Sequence, residues 1–269
     1  MPAIPRQSVL FITLDSCRFD TFAAAGAPNM RRVGSLYKAM APGSFTYASH
    51  AAMFVGFTPG VAEKSEPFVN PKFGKIFRMG GIGFEGKASD YFTLEGRNII
   101  DGFRRKGYAT IGSGAVPWFN PNRETSRQLT ADFEHYFWPG DKWSLRRQVE
   151  FVNEHLATVS RPAFVFINVG ETHIPYYHEG AAWDRNVNPC VPFGKNNDAA
   201  ECRRRQLACV EFVDGVLGPL IERFAEANTL ICADHGDCWG EDGLWDHGIF
   251  HPKVYEVPLL FRLANQEGR

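Results

Sequence analysis

The chain lacks four things that would each fix its class early: a hydrophobic run long enough to cross a bilayer, a C-x-x-C pair, an excess of charge of one sign, and an internal repeat. The opening stretch Val9-Leu10-Phe11-Ile12-Thr13-Leu14 falls far short of the roughly 20 residues a spanning helix needs, and no cleavage-site pattern follows it. Neither a membrane span nor a secretory leader is expected. The six cysteines (17, 190, 202, 209, 232 and 238) have no zinc-ribbon spacing. With no export signal they read as free thiols, and the chain as cytoplasmic. A formal charge of -1 gives no electrostatic reason to bind nucleic acid or an anionic membrane. Two basic clusters, Arg104-Arg105-Lys106 and Arg203-Arg204-Arg205, fall in helical patterns and read as solvated faces. No linker divides the 269 residues, so residues 1–269 are expected to form a single domain around one large core.

What is present is alternation. Val9 to Leu14 and Ala163 to Val169 are apolar and β-branched enough for strands buried on both faces. Tyr108 to Ile111, Thr229 to Ala233 and Val257 to Phe261 read as further strands. Between them, helices are predicted from Ala48 to Val55, Gly96 to Lys106, Ser144 to Leu156 and Cys202 to Ala227, with Gly107 placed as a C-cap. The expected fold is α/β: three layers, a mainly parallel central sheet and helices on both faces. Residues 60–95, rich in Gly, Phe and Lys without clear periodicity, read as loop and short elements, either a lid or a surface excursion.

Chemistry-bearing residues collect at strand ends. Asp15 follows the first strand and Asp234 a later one, and ligands gather beyond the carboxyl ends of strands in open α/β sheets. Inside a strand, Asp234 and His235 would face opposite ways, so both reach one ion only if the strand has already ended. Gly236 is suited to that turn. Two carboxylates with one imidazole suit zinc, manganese or iron better than calcium, and one or two ions of zinc or manganese are expected. Taken singly, each stretch also reads as an N-capping Asp followed by a structural His. Thr46 precedes a helix start, where free backbone N–H groups favour an anion, and a metal beside its hydroxyl would activate it. Ser44 and Ser49 compete with it, and spacing does not choose among the three.

Several motifs, in order, resemble the sulfatase-like branch of the alkaline phosphatase superfamily. They are Ile-Thr-Leu-Asp-Ser-Cys-Arg-Phe-Asp (12–20), Phe45 to Pro59 and Gly107-Tyr108-Ala109-Thr110. Glu171-Thr172-His173-Ile174-Pro175-Tyr176, Asp234-His235-Gly236-Asp237, His247-Gly248 and Tyr255-Glu256-Val257-Pro258-Leu259 complete the set. The resemblance implies that Asp15, Asp234 and His235 hold a metal and that Thr46 is the nucleophile. It implies that His173 and His247 face the substrate, protonate a leaving group or help hold a second ion. His50 and Lys253 would contact a small anionic ester substrate. His178 and His251 receive no role.

Departures from that pattern narrow the chemistry. Thr46 is followed by Ala48 and His50 where sulfatases carry Cys/Ser-x-Pro-x-Arg, so a formylglycine aldehyde cannot form. Leu14 stands before Asp15 in place of a paired aspartate. A threonine nucleophile favours phosphoryl chemistry, hydrolysis or transfer of a phosphomono- or diester, over sulfuryl transfer. Sulfate-ester or phosphonate cleavage by the same fold, or an inactive anion-binding relative, are the alternatives. The chain stops soon after Phe261, which implies that part of the substrate wall is missing or comes from a partner chain, with a homo-oligomer as one form.

Overall fold

The computed structural model describes residues 4–56 and 98–264; the stretch 60–95, read above as loop or lid, lies outside the described residues. The described strands are β1 Val9–Leu14, β2 Tyr37–Met40, β3 Ala109–Gly114, β4 His135–Phe137, β5 Ala163–Val169, β6 Asn228–Ala233, β7 Cys238–Trp239, β8 Trp245–Asp246 and β9 Glu256–Arg262. Seven of them form one sheet in the order β2-β9-β6-β1-β5-β3-β4, and β7 and β8 pair separately. The run β6-β1-β5-β3-β4 is parallel, whereas β9 is antiparallel to β6 and to β2. This is the mainly parallel sheet expected.

Period-two alternation sends side chains into two cores. From β1 and β5, Leu10, Ile12, Leu14, Val165, Ile167 and Val169 point to one face, where Val152, Leu156, Val213, Leu217 and Leu220 meet them. Those last five come from the helices Leu145–Thr158 and Ala199–Arg223. The opposite face is rich in aromatics: Phe11, Phe164 and Phe166 pack with Tyr47 and Phe54 of helix Thr46–Val55 and Ile100 of helix Ile99–Arg105. Burial of each such ring contributes about 1.5–3 kcal/mol. Gly107, with φ at 82°, follows the C-cap of helix Ile99–Arg105, as its position in sequence predicts.

One basic cluster differs from expectation. Arg104 and Arg105 pair with Asp101 and lie exposed, but Arg205 is buried and donates to the carbonyls of Pro175 and Val187. Arg205 therefore braces the loop after β5 rather than coating a helix.

Register sets the level at which the chemistry appears. Leu14 lies opposite Val169 on one side and Ala233 on the other. The next residues in each chain direction, Asp15, Gly170 and Asp234, therefore leave the sheet together at its carboxyl edge.

Candidate active site

The three expected metal-binding residues meet there. Asp15, Asp234 and His235 are each 0% exposed and offer ligand atoms that all lie within 4.8 Å of one another. His235 Nε2 is 3.7 Å from Asp15 Oδ1 and 3.6 Å from Asp234 Oδ2. Its Nδ1 donates to the Gly236 carbonyl at 3.0 Å, which leaves the Nε2 lone pair facing the carboxylates. Asp234 Oδ1 accepts from the backbone N–H groups of Ser16 and His235, while Oδ2 is buried and has no hydrogen-bond partner among the described residues. Asn168, opposite Thr13 on β5, donates to Asp15 Oδ2 at 3.1 Å.

Strand β6 ends at Ala233, which is what lets Asp234 and His235 turn to the same point. Gly236 serves this turn differently from expectation. Its backbone does not need a left-handed conformation; a Cβ there would stand 2.2 Å from the Lys253 carbonyl oxygen, and its N–H donates to the Val254 carbonyl. Only glycine admits that close approach.

Thr46 is the first residue of helix Thr46–Val55, and no side chain caps that helix start. Its Oγ1 lies 3.3 Å from Asp15 Oδ2 and 3.4 Å from His235 Nε2. One rival hydroxyl is engaged elsewhere: Ser49 donates to the Asp234 carbonyl. Of the three, Thr46 is the one beside the carboxylates.

His173 and His247 flank the centre on its more open side, with side chains 17% and 18% exposed. Their ring centroids are 5.4 Å apart, and the His247 ring is 4.4 Å from that of His235. His173 Nδ1 donates to the Ile174 carbonyl, and its Nε2 is 3.9 Å from Asp15 Oδ1. His247 Nδ1 lies 2.7 Å from Asp237 Oδ1 and 2.7 Å from Asp246 Oδ1.

The two expected substrate contacts are engaged within the protein. His50 is 0% exposed; it hydrogen-bonds Thr13 Oγ1 through Nε2 and the Thr46 carbonyl through Nδ1, packed edge-on against Phe119. It lies one helical turn beyond Thr46, so the helix that presents the Thr46 hydroxyl carries His50 into the aromatic core, where a substrate does not reach it. Lys253 Nζ bonds Asp20 at 2.7 Å, and Asp20 also takes two bonds from Arg18. The charge of Lys253 is thus matched within the protein.

Electrostatics mark the centre as a place for a cation. Burial pushes the Asp15 carboxyl up to about 7, with the neighbouring Asp234 charge adding to the rise, and burial likewise raises Asp234 to about 7. Burial holds His235 below its ordinary range and pushes His50 down to about 3. His173 is driven well below its usual range by burial, then by Lys142 and His247. Burial opposes charge on His247 too, but its bonds to Asp237 and Asp246 win and raise it well above the usual range. Two buried carboxylates side by side cost several kcal/mol each unless a positive partner offsets them. The unpartnered Asp234 Oδ2, the lone pair of His235 and the Asp15 carboxylate form a donor set that fits a divalent metal.

Sequence reasoning assigned no role to Asn168, Asp237 or Lys142. A single amide inside the apolar run Ala163–Val169 was a signal for the first, and the carboxylate after Asp-His-Gly for the second. Lys142 donates to the Ile174 carbonyl beside His173, and nothing in Gly140-Asp141-Lys142-Trp143 announces it.

At the level of sequence, no protein-family description and no characterised protein matches the chain. Its fold does match solved structures. The C-terminal periplasmic domain of phosphoethanolamine transferase EptC from Campylobacter jejuni superposes with a TM-score of 0.65 at 14% identity, over 97% of this chain and 80% of that one. The corresponding Escherichia coli domain, in complex with Zn, gives 0.65 at 12% identity, over 99% and 78%. Phosphonate monoester hydrolase of Agrobacterium radiobacter gives 0.63 at 14% identity, over 96% and 68%. A Vibrio parahaemolyticus protein in the alkaline phosphatase superfamily gives 0.57 at 14% identity, over 98% and 62%, so the fold is alkaline phosphatase-like, as expected. The cytoplasmic expectation is corrected by the same comparison: the transferase neighbours are periplasmic domains. All six cysteines are buried and unpaired, which is compatible with any compartment and was no basis for choosing one.

Proposed function

We propose that this chain is a metal-dependent phosphoester hydrolase or phosphotransferase that works through Thr46, on a small anionic ester. The observation that carries this reading is the Thr46 hydroxyl 3.3 Å from Asp15 and 3.4 Å from His235, at an uncapped helix start. A divalent ion held by Asp15, Asp234 and His235, zinc or manganese by the donor set, would acidify an adjacent hydroxyl and offset charge on the phosphoryl oxygens. Thr46 Oγ1 then attacks phosphorus as its proton leaves along the hydrogen bond to Asp15 Oδ2. The bond from phosphorus to the leaving oxygen breaks, and that oxygen takes a proton from His247, which its carboxylate neighbours hold protonated, while His173, kept neutral, faces the substrate. Water or an acceptor hydroxyl next attacks phospho-Thr46 and restores the free hydroxyl. The N-terminal end of helix Thr46–Val55 favours the negative charge that builds on the phosphoryl group.

The transferase and phosphonate-hydrolase neighbours support phosphorus-centred chemistry, and both outcomes, water or a second alcohol as acceptor, fit the same first step. Thr46→Ala is expected to lower kcat at least about 1,000-fold while metal per chain stays constant, measured by turnover of chromogenic phosphate mono- and diesters and by elemental analysis. Full activity in that variant removes Thr46 from the mechanism. Phosphonate and sulfate esters in the same panel separate the rival reactions.

A further inference from the structure

Asp237 has a geometry that the reaction as outlined leaves unused. It is 0% exposed and lies at the mouth of the small β7–β8 ribbon. Cys238 pairs with Asp246 and Trp239 with Trp245, so continuing that register sets Asp237 opposite His247. The two side chains meet: Asp237 Oδ1 is 2.7 Å from His247 Nδ1. The other carboxylate oxygen, Oδ2, accepts from the buried Tyr176 hydroxyl at 2.6 Å, and that hydroxyl accepts from Trp239 Nε1 at 2.7 Å. Arg18 lies over the Trp239 ring, 4.1 Å from its centroid, and closes the far end of the chain. On the near side, the Gly248 N–H bonds the Ser44 carbonyl at 2.8 Å, which ties the His247 strand end to the loop that presents Thr46.

A carboxylate can only accept, so His247 Nδ1 must be the donor to Asp237; Asp246 Oδ1 lies 2.7 Å from the same nitrogen and accepts from the His247 backbone N–H. Among the described residues Nε2 has no hydrogen-bond partner. We infer that Asp237, anchored by Tyr176 and Trp239, is a positioning residue that fixes the His247 ring through Nδ1–H and reserves Nε2 for the leaving-group oxygen. This rests on the phosphoester reading above. Asp246 shares the role less firmly, because it is part-exposed at the ribbon's end and its side chain bonds, among the described residues, to His247 alone.

Two measurements test it. In the first, side-chain nitrogen NMR of the metal-loaded and metal-free protein reads which nitrogen of His247 carries the proton. Wild type is expected to keep Nδ1 protonated in both forms, whether or not Nε2 also carries a proton; Asp237→Ala is expected to admit neutral rings with the proton on Nε2 alone, and Asp237→Asn, which keeps an acceptor oxygen and the packing volume, to lie between. In the second, kcat is compared across phosphoesters of graded leaving-group acidity. Asp237→Ala is expected to cost about 100-fold for alkyl esters and under about 10-fold for nitrophenyl esters, with KM and metal content unchanged. Asn is expected to recover part of the loss.

An unchanged His247 tautomer in Asp237→Ala, or an equal loss across all leaving groups, overturns the inference. So does loss of metal from that variant, which would make Asp237 a ligand. Absence of turnover by wild type on every ester overturns the phosphoester reading instead, and the NMR result still decides what Asp237 does.

Discussion

Asn168 is the side chain through which the sheet interior holds the centre in place. Its Nδ2 donates to Asp15 Oδ2 and to Thr13 Oγ1, and its Oδ1 accepts from the Ala115 N–H at 3.3 Å. Thr13 in turn bonds His50, and His50 bonds the carbonyl of Thr46. A buried chain of bonds therefore runs from the Asp15 carboxylate, behind the centre, to the residue carrying the proposed nucleophile. Groups that orient a ligating carboxylate typically contribute about 10–100-fold to metal affinity. Asn168→Ala is accordingly expected to weaken zinc or manganese binding by about that factor, read by competition with a chelating dye. The same change leaves the Ala115 N–H without its partner, a loss of about 1–3 kcal/mol in thermal or denaturant unfolding. Undiminished affinity would show that Asp15 keeps its orientation without the amide.

At the scale of elements, legibility follows burial. Strands β1 and β5 coincide with the predicted runs because both are enclosed by helices on two sides, so their sequences are continuous apolar stretches. Strand β2, mostly exposed at the sheet edge, and β4, half-buried at the other, carry no such run and were not read from sequence. The two-residue strands β7 and β8 are shorter than any periodicity can register, yet they set Asp237 against His247. The convergence of Asp15, Asp234 and His235 was legible because these residues sit where strands of readable ends stop. The partners of His50 and Lys253 were not, because they depend on which way a helix turns and which acid waits nearby, and neither is written in local spacing. The segment from Asp234 to Asp237 shows the tightest such dependence. Gly236→Ala would drive a methyl group into the Lys253 carbonyl oxygen at 2.2 Å, a backbone atom that no rotamer change can move. Overpacking of this kind costs about 1–3 kcal/mol or more. The expected outcome is a lowered unfolding midpoint together with lost metal binding, because His235 and the helix Pro252–Tyr255 are pushed apart; a variant with wild-type midpoint and affinity would contradict the close approach.

For the whole molecule, the two carboxylates of the centre tie folding to pH and to metal. In the metal-free protein Asp15 and Asp234 hold protons up to about 7, against an ordinary 3.8. Glu171, raised by burial to about 8, acts in the same sense. Between pH 4 and these raised values the folded state therefore binds protons that the unfolded chain has released. Stability from these groups is complete at low pH and is lost as pH rises through about 7 to 8. The buried histidines work the other way at the acid end: His50, His173 and His235 are kept neutral, below an ordinary 6.5, and cost stability only as pH falls beneath that value. The balance leaves the metal-free protein less stable at pH 8 than at pH 6. A divalent ion reverses the slope, since it binds the ionised carboxylates and its affinity grows as their protons leave. Chelation is thus expected to lower the melting temperature far more at pH 8 than at pH 6, and zinc or manganese added back to restore it most at pH 8. Differential scanning fluorimetry with and without chelator at the two pH values measures this directly. An equal drop at both, or none, would mean that Asp15 and Asp234 do not share a cation, and the centre proposed for Thr46 chemistry would lose its basis.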